Sequence, residues 1–219
     1  MYRSLVVLLV LAGHLALAQG AQYNITVDAA QRGEPIKPVW AHFGYDEPNY
    51  TYMRDGKKLL SELAALSPVP VYVRAHNLLT SGAGTHGLKW GSTNAYREDK
   101  KGKPVYDWRI VDSIMDTYIQ RGMKPLVEIG FMPEALSVKP VPYRHDWKPG
   151  VEYSRIYTGW AYPPKDYIKW GALVYEWVKH SIARYGEEEV VSWYWEVWNE
   201  PNIGYWQGTR EEYFMLYDY

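Results

Sequence analysis

Asn199 and Glu200 stand side by side near the end of a stretch, residues 190 to 202, that reads Val-Val-Ser-Trp-Tyr-Trp-Glu-Val-Trp-Asn-Glu-Pro-Asn. It opens on β-branched and aromatic residues, its polar positions lack helical spacing, and Pro201 stops it. That pattern predicts a buried strand whose C-terminal end carries an Asn-Glu pair. Strand alternation sets Tyr194, Glu196, Trp198 and Glu200 on one side and Trp193, Trp195, Val197 and Asn199 on the other. A carboxylic acid at a strand mouth among indoles is a place where a proton donor with a raised pKa can be made. The plainer reading is a carboxylate paired with an arginine inside a barrel, and an Asn-Glu-Pro triplet alone does not decide between the two.

Three other groups sit where chemistry could use them. A strand over 69–74 delivers Arg74, Ala75, His76 and Asn77 at its C-terminal end, and a strand over 124–131 carries Glu128. A buried arginine needs carboxylate partners, and its fork suits them, so Arg74 is expected to order Glu196 or Glu128 rather than to bind a ligand. Asn199 could equally satisfy backbone groups, and an unassisted histidine such as His76 is more often structural. No His/Asp/Glu spacing suggests a metal site, and no cofactor is implied.

The elements that must position these groups alternate strand and helix. Residues 23–27 form a short strand candidate, and 39–45 a second one ending in Gly-Tyr-Asp-Glu-Pro. Leucines at 59, 60, 63 and 66 make 57–66 an amphipathic helix stopped by Ser67-Pro68. Residues 80–104 read as a loop or hairpin. Asp107 is the expected N-cap of a helix with the stripe Val111, Ile114, Met115, Tyr118 and Ile119, closed by Gly122. The irregular segment 132–164 is rich in Pro, Tyr and Trp, and its Trp147, Tyr157 and Trp160 either wall a binding subsite or pack the loop down. Pro163-Pro164 is expected to start a helix that ends at Gly186, and Thr209-Arg210-Glu211-Glu212 is a capping box opening one more.

Four strand-helix units, each with its polar residues at a strand's C-terminal end, predict an α/β fold with a parallel sheet. In a (β/α)8 barrel that face holds the active site, but such barrels need about 250 residues. The expectation is therefore the N-terminal half of a longer TIM barrel over 36–219. A complete open α/β sheet is the alternative.

Of the 219 residues 47% are hydrophobic, with 11 Trp and 21 Tyr against 3 Phe, so stacking surfaces for sugar rings are expected beside an aromatic core. A formal net charge of -1 points to neither nucleic acid nor an anionic membrane. The absence of cysteine excludes disulfides, thiolate nucleophiles and Cys-ligated metals. Arg3, the apolar run from Leu5 to Leu17 and the small-x-small Ala16-Leu17-Ala18 read as a signal peptide over 1–18. Residues 19–35 would then be an N-terminal strand and linker, and the mature protein periplasmic or secreted. An uncleaved anchor is the minor alternative.

Several ordered segments, Val71-Tyr72-Val73-Arg74-Ala75-His76, Tyr106-Asp107-Trp108, Lys124 to Pro133, Trp193 to Asn202, and Tyr213-Phe214-x-Leu216-Tyr217, together resemble glycoside hydrolase family 39. This family holds β-xylosidases and α-L-iduronidases. Gly130-Phe131-Met132-Pro133 is similar to the xylosidase branch, whereas Asp46-Glu47-Pro48-Asn49-Tyr50 departs from it. The resemblance implies a retaining O-glycosyl hydrolase with a carbohydrate substrate. Glu200 would be the general acid/base, Asn199 would bond the sugar 2-hydroxyl, and His76 would bond another hydroxyl. Glu128 would take a structural or sugar-contacting role. The attacking carboxylate, about 5–5.5 Å from the acid/base in retaining enzymes, would come from a later barrel strand, leaving this chain incomplete. The alternatives are a non-catalytic carbohydrate-binding half-barrel and an iduronidase-like glycosidase.

Overall fold

The computed structural model describes residues 23–85, 91–144, 150 and 157–219. The signal peptide expected over 1–18 lies outside the described residues, as does Trp147. The chain divides into the units Met1–Lys37 and Pro38–Tyr219. In the first, the expected strand over 23–27 does not form. Its apolar residues Tyr23, Ile25 and Val27 are 85%, 88% and 80% exposed, so nothing is buried to offset the ordering of the backbone. One local turn is held by the Asp28 carboxylate, which accepts from the Ala30 amide at 3.0 Å.

The second unit is built on four parallel strands: β1 His42–Tyr45, β2 Tyr72–Ala75, β5 Lys124–Glu128 and β6 Tyr194–Glu196, neighbours in that order. Between β2 and β5 the polar segment folds into an antiparallel hairpin, β3 Tyr96–Glu98 with β4 Pro104–Tyr106. Each parallel strand is followed in sequence by a helix: α1 Arg54–Leu66, α2 Arg109–Ile119, α3 Tyr167–Tyr185 and α5 Arg210–Asp218. Val73, Ala75 and Val127 belong to the buried core, while Tyr72, Arg74, Tyr194 and Glu196 are less buried. Since Val73 and Ala75 alternate with Tyr72 and Arg74 along β2, one face of the sheet packs into the core. The other is more open, at Tyr72, Arg74 and Tyr194, with Glu128 buried on it.

The α2 stripe forms as expected, with Val111, Ile114, Met115 and Tyr118 buried. The Tyr118 hydroxyl meets that of Tyr45 at 2.5 Å, tying the helix to β1. Gly122, at φ 65°, closes the helix by letting the Met123 amide reach the Tyr118 carbonyl at 3.1 Å. The N-cap position falls on Trp108 rather than Asp107, whose carboxylate bonds the amide and guanidinium of Arg109 instead. Helix α3 starts later than Pro163-Pro164. Pro164 makes a bridge to Ser137, and Asp166 caps the helix by accepting from the Lys169 amide at 3.1 Å.

The long strand expected from Val190 is the largest departure. Gly186, at φ 89°, ends α3, and Glu187–Val191 form a short helix, α4. Three glutamates in its first turn favour the positive end of the helix dipole, which outweighs the β preference of Val190 and Val191. Strand β6 keeps only three residues, the length over which it pairs with Leu126, Val127 and Glu128. The Thr209 capping box of α5 is present as read.

Candidate active site

The C-terminal ends of β2, β5 and β6 bring together Arg74, His76, Glu128, Glu196 and Asn199, residues up to 125 positions apart. Parallel pairing sets this convergence, because Glu128 lies directly opposite Glu196 and Arg74 opposite Leu126. Arg74 is the hub. Its Nε donates to Glu196 Oε2 at 2.5 Å and its Nη2 to Glu196 Oε1 at 2.9 Å, a two-point clamp. The same Nη2 donates to Asn199 Oδ1 at 2.8 Å, and Nη1 meets His76 Nε2. Burial works against the arginine's charge, but Glu196, then Glu128 and Asp46, raise its pKa overall. Arg74 thus orders carboxylates, the arrangement its sequence context suggested.

Glu128 is fully buried, and neither of its oxygens has a hydrogen-bond partner among the described residues. Oε2 lies 3.6 Å from Arg74 Nη2 and 3.7 Å from His76 Nδ1. Loss of hydration pushes its pKa up to about 8; Arg74 opposes the shift, while Glu196 and Asp46 add to it. Gly130 leaves the room this carboxyl needs, since a Cβ there would stand 3.2 Å from Glu128 Oε1 and 3.4 Å from Trp198. His76 lies 3.7 Å from Asp46 Oδ1 and turns its edge toward Phe131. Asp46 was not singled out from the sequence. The rule that found the others, a polar residue just past a strand's C-terminal end, would have found it after β1.

Asn199 is buried and Glu200 is exposed. Glu200 adopts φ 45°, the left-handed region, so the chain turns away from strand geometry there. The expected alternation therefore fails beyond Glu196. Trp198 turns inward, donating from Nε1 to the Tyr205 carbonyl at 3.0 Å and packing on Phe131. Glu200 is exposed rather than enclosed by indoles. Of the loop aromatics, Trp160 is buried against Phe131 and Tyr205 and so packs the loop, while Tyr157 stays partly exposed beside Tyr205. Among the described residues no group of three or more His, Asp or Glu could hold a metal ion, and no helix is long and apolar enough to cross a membrane.

The family model for glycosyl hydrolases family 39 matches residues 23–219. The chain belongs to this family. A β-xylosidase of Caldicellulosiruptor saccharolyticus is 46% identical over 111 residues, 50% of this chain and 20% of the relative. A β-xylosidase of Geobacillus stearothermophilus is 38% identical over 152 residues, 67% of this chain and 26% of the relative. Among solved structures, a monomeric β-xylosidase from Caulobacter crescentus CB15 aligns with TM-score 0.61 at 31% identity, covering 81% of this chain and 31% of that one. The family 39 chain thus spans about a quarter of the curated relatives it matches. Its α/β fold with a parallel sheet agrees with that of these enzymes.

Proposed function

We propose that this chain supplies the acid/base half of a retaining family 39 glycosidase acting on β-xylosides. The observation that carries the reading is the Arg74–Glu196–Asn199 cluster at the strand ends, followed at once by the exposed carboxylate of Glu200. In this reading Glu200 protonates the departing glycosidic oxygen, then removes a proton from the water that releases the sugar. Asn199 holds the sugar 2-hydroxyl, and His76 meets a second hydroxyl. Glu128 is a buried supporting group and not the nucleophile, because a buried carboxyl beside Glu196 favours its proton rather than a negative charge. The attacking carboxylate is assigned to a barrel strand after β6.

The four strand-helix units are taken as half of a (β/α)8 barrel. In support, all-parallel sheets are normally covered on both faces, whereas Tyr194 and His42 on the open side of this one are exposed. The barrel half begins near residue 36, and export directed by residues 1–18 fits a secreted or periplasmic glycan-degrading enzyme. The test is hydrolysis of an aryl β-xyloside by the complete enzyme, with the first-formed sugar followed by NMR. Release of β-xylose supports the reading. Release of α-xylose, or cleavage of an aryl α-L-iduronide in preference, overturns it.

A further inference from the structure

Arginine has five donors and no acceptor, so the amide end that Asn199 turns toward Arg74 Nη2 at 2.8 Å must be its oxygen. The Asn199 NH2 group then faces away from Arg74. Glu196 decides this arrangement, because its two oxygens hold Nε and Nη2 of Arg74 and fix the plane and direction of the guanidinium. We propose that Glu196 is a positioning residue which, through Arg74, presents Asn199 to the substrate as a hydrogen-bond donor, so that the site selects a sugar hydroxyl able to accept at that position. This deepens the reading of Asn199 given above and rests on it.

Freed from this clamp, an asparagine amide can turn by half a rotation and offer either end. The chain therefore uses a partly buried carboxylate and an arginine to choose one of them. Neither Arg74 nor Glu196 needs to touch the sugar for this purpose. The effect of Glu196 should be confined to whichever substrate group meets Asn199, whereas Arg74 also meets His76 and so should affect a second hydroxyl as well.

The experiment compares an aryl β-xyloside with its 2-deoxy analogue on the complete enzyme, in wild type, Glu196→Gln, Arg74→Lys and Asn199→Ala. Glu196→Gln and Arg74→Lys are expected to lower kcat/KM for the xyloside about ten-fold or more. In Glu196→Gln the 2-deoxy analogue should change by less than about two-fold, since it lacks the partner whose hydrogen bond is lost. Arg74→Lys, which also releases His76, should lose more on the xyloside than on the analogue. Adding Glu196→Gln to Asn199→Ala should bring no further loss. Equal losses on both substrates, or full additivity with Asn199→Ala, overturn the inference and leave Glu196 a structural residue. Should the wild type cleave neither glycoside, the proposed function fails. The positioning claim is then read from the Asn199 side-chain amide signals in a 15N NMR spectrum without substrate. They should shift in both Glu196→Gln and Arg74→Lys while the far-ultraviolet circular dichroism is unchanged, and unshifted signals overturn the claim.

Discussion

Glu128 Oε2 and Arg74 Nη2 face each other across the β2–β5 pair at 3.6 Å, and no hydrogen bond joins them. Arg74 has committed its donors to Glu196, Asn199 and His76. A fully buried carboxyl left without a bond keeps its proton, which is why its pKa climbs to about 8 from the usual 4.5.

This shift makes folding pH-dependent with a definite sign. Below pH 4.5 Glu128 is protonated in both the folded and unfolded chain, and its contribution is fully present. As pH rises from 4.5 through about 8, the unfolded chain gains by ionising and stability falls, levelling off above that range. The groups facing Glu128 are Arg74 and His76 from β2 and its end, Glu196 from β6, and Asp46 after β1. In Glu128→Gln this component disappears. Urea unfolding of both proteins across this range should show a drop on the order of a few kcal/mol in wild type and a flatter line in the variant. Parallel lines would exclude a neutral Glu128.

Glu200→Gln tests the proton-donor role proposed for this residue. An aryl xyloside with a poor leaving group needs protonation of its oxygen, and general acid catalysis contributes about 10²–10⁴-fold. The variant should lose rate on that scale with the poor leaving group. The loss should be far smaller with an activated leaving group, which departs unassisted. Small, equal losses for both would remove Glu200 from the role.

Glu98 anchors the hairpin to the start of α3. Its carboxylate accepts from Lys165 at 2.8 Å, Lys169 at 2.7 Å and Tyr96 at 3.1 Å. Burial alone would raise its pKa, but these bonds prevail and lower it to about 2 from 4.5. The stabilisation is present above pH 4.5 and is lost as pH falls through about 2. Glu98→Gln should therefore be less stable at neutral pH, with the gap to wild type closing on acidification. Acid titration followed by tryptophan fluorescence reads the difference. A gap that stays constant with pH would show that ionic bonding is not involved.

The capping box of α5 gives a local prediction. The Thr209 hydroxyl accepts from the Glu212 amide at 3.1 Å, and the Glu212 carboxylate accepts from the Thr209 amide at 2.7 Å. Thr209→Ala should cost about 1 kcal/mol, and Thr209→Ser should be nearly neutral. Calorimetric melting of the three proteins checks both expectations. An unchanged melting temperature in Thr209→Ala would show that α5 does not unfold with the rest of the chain.

Local pattern was enough for much of this protein. The apolar stripe of α2, the glycine stops at 122 and 186, the Thr209 cap and the polar residues at strand ends were all legible in sequence. Each depends on neighbours within about a turn or a strand. Residues 23–27 have the strand pattern but bury nothing, and Val190 and Val191 went to a helix because Gly186 and three glutamates outweigh β-branching. The site itself is a product of tertiary structure. Arg74 meets Glu196 over 122 positions of chain, a contact that exists only because β5 pairs with both β2 and β6. Glu128 holds its proton and Glu200 stands exposed because desolvation depends on packing from distant segments, and no short window of sequence carries that information.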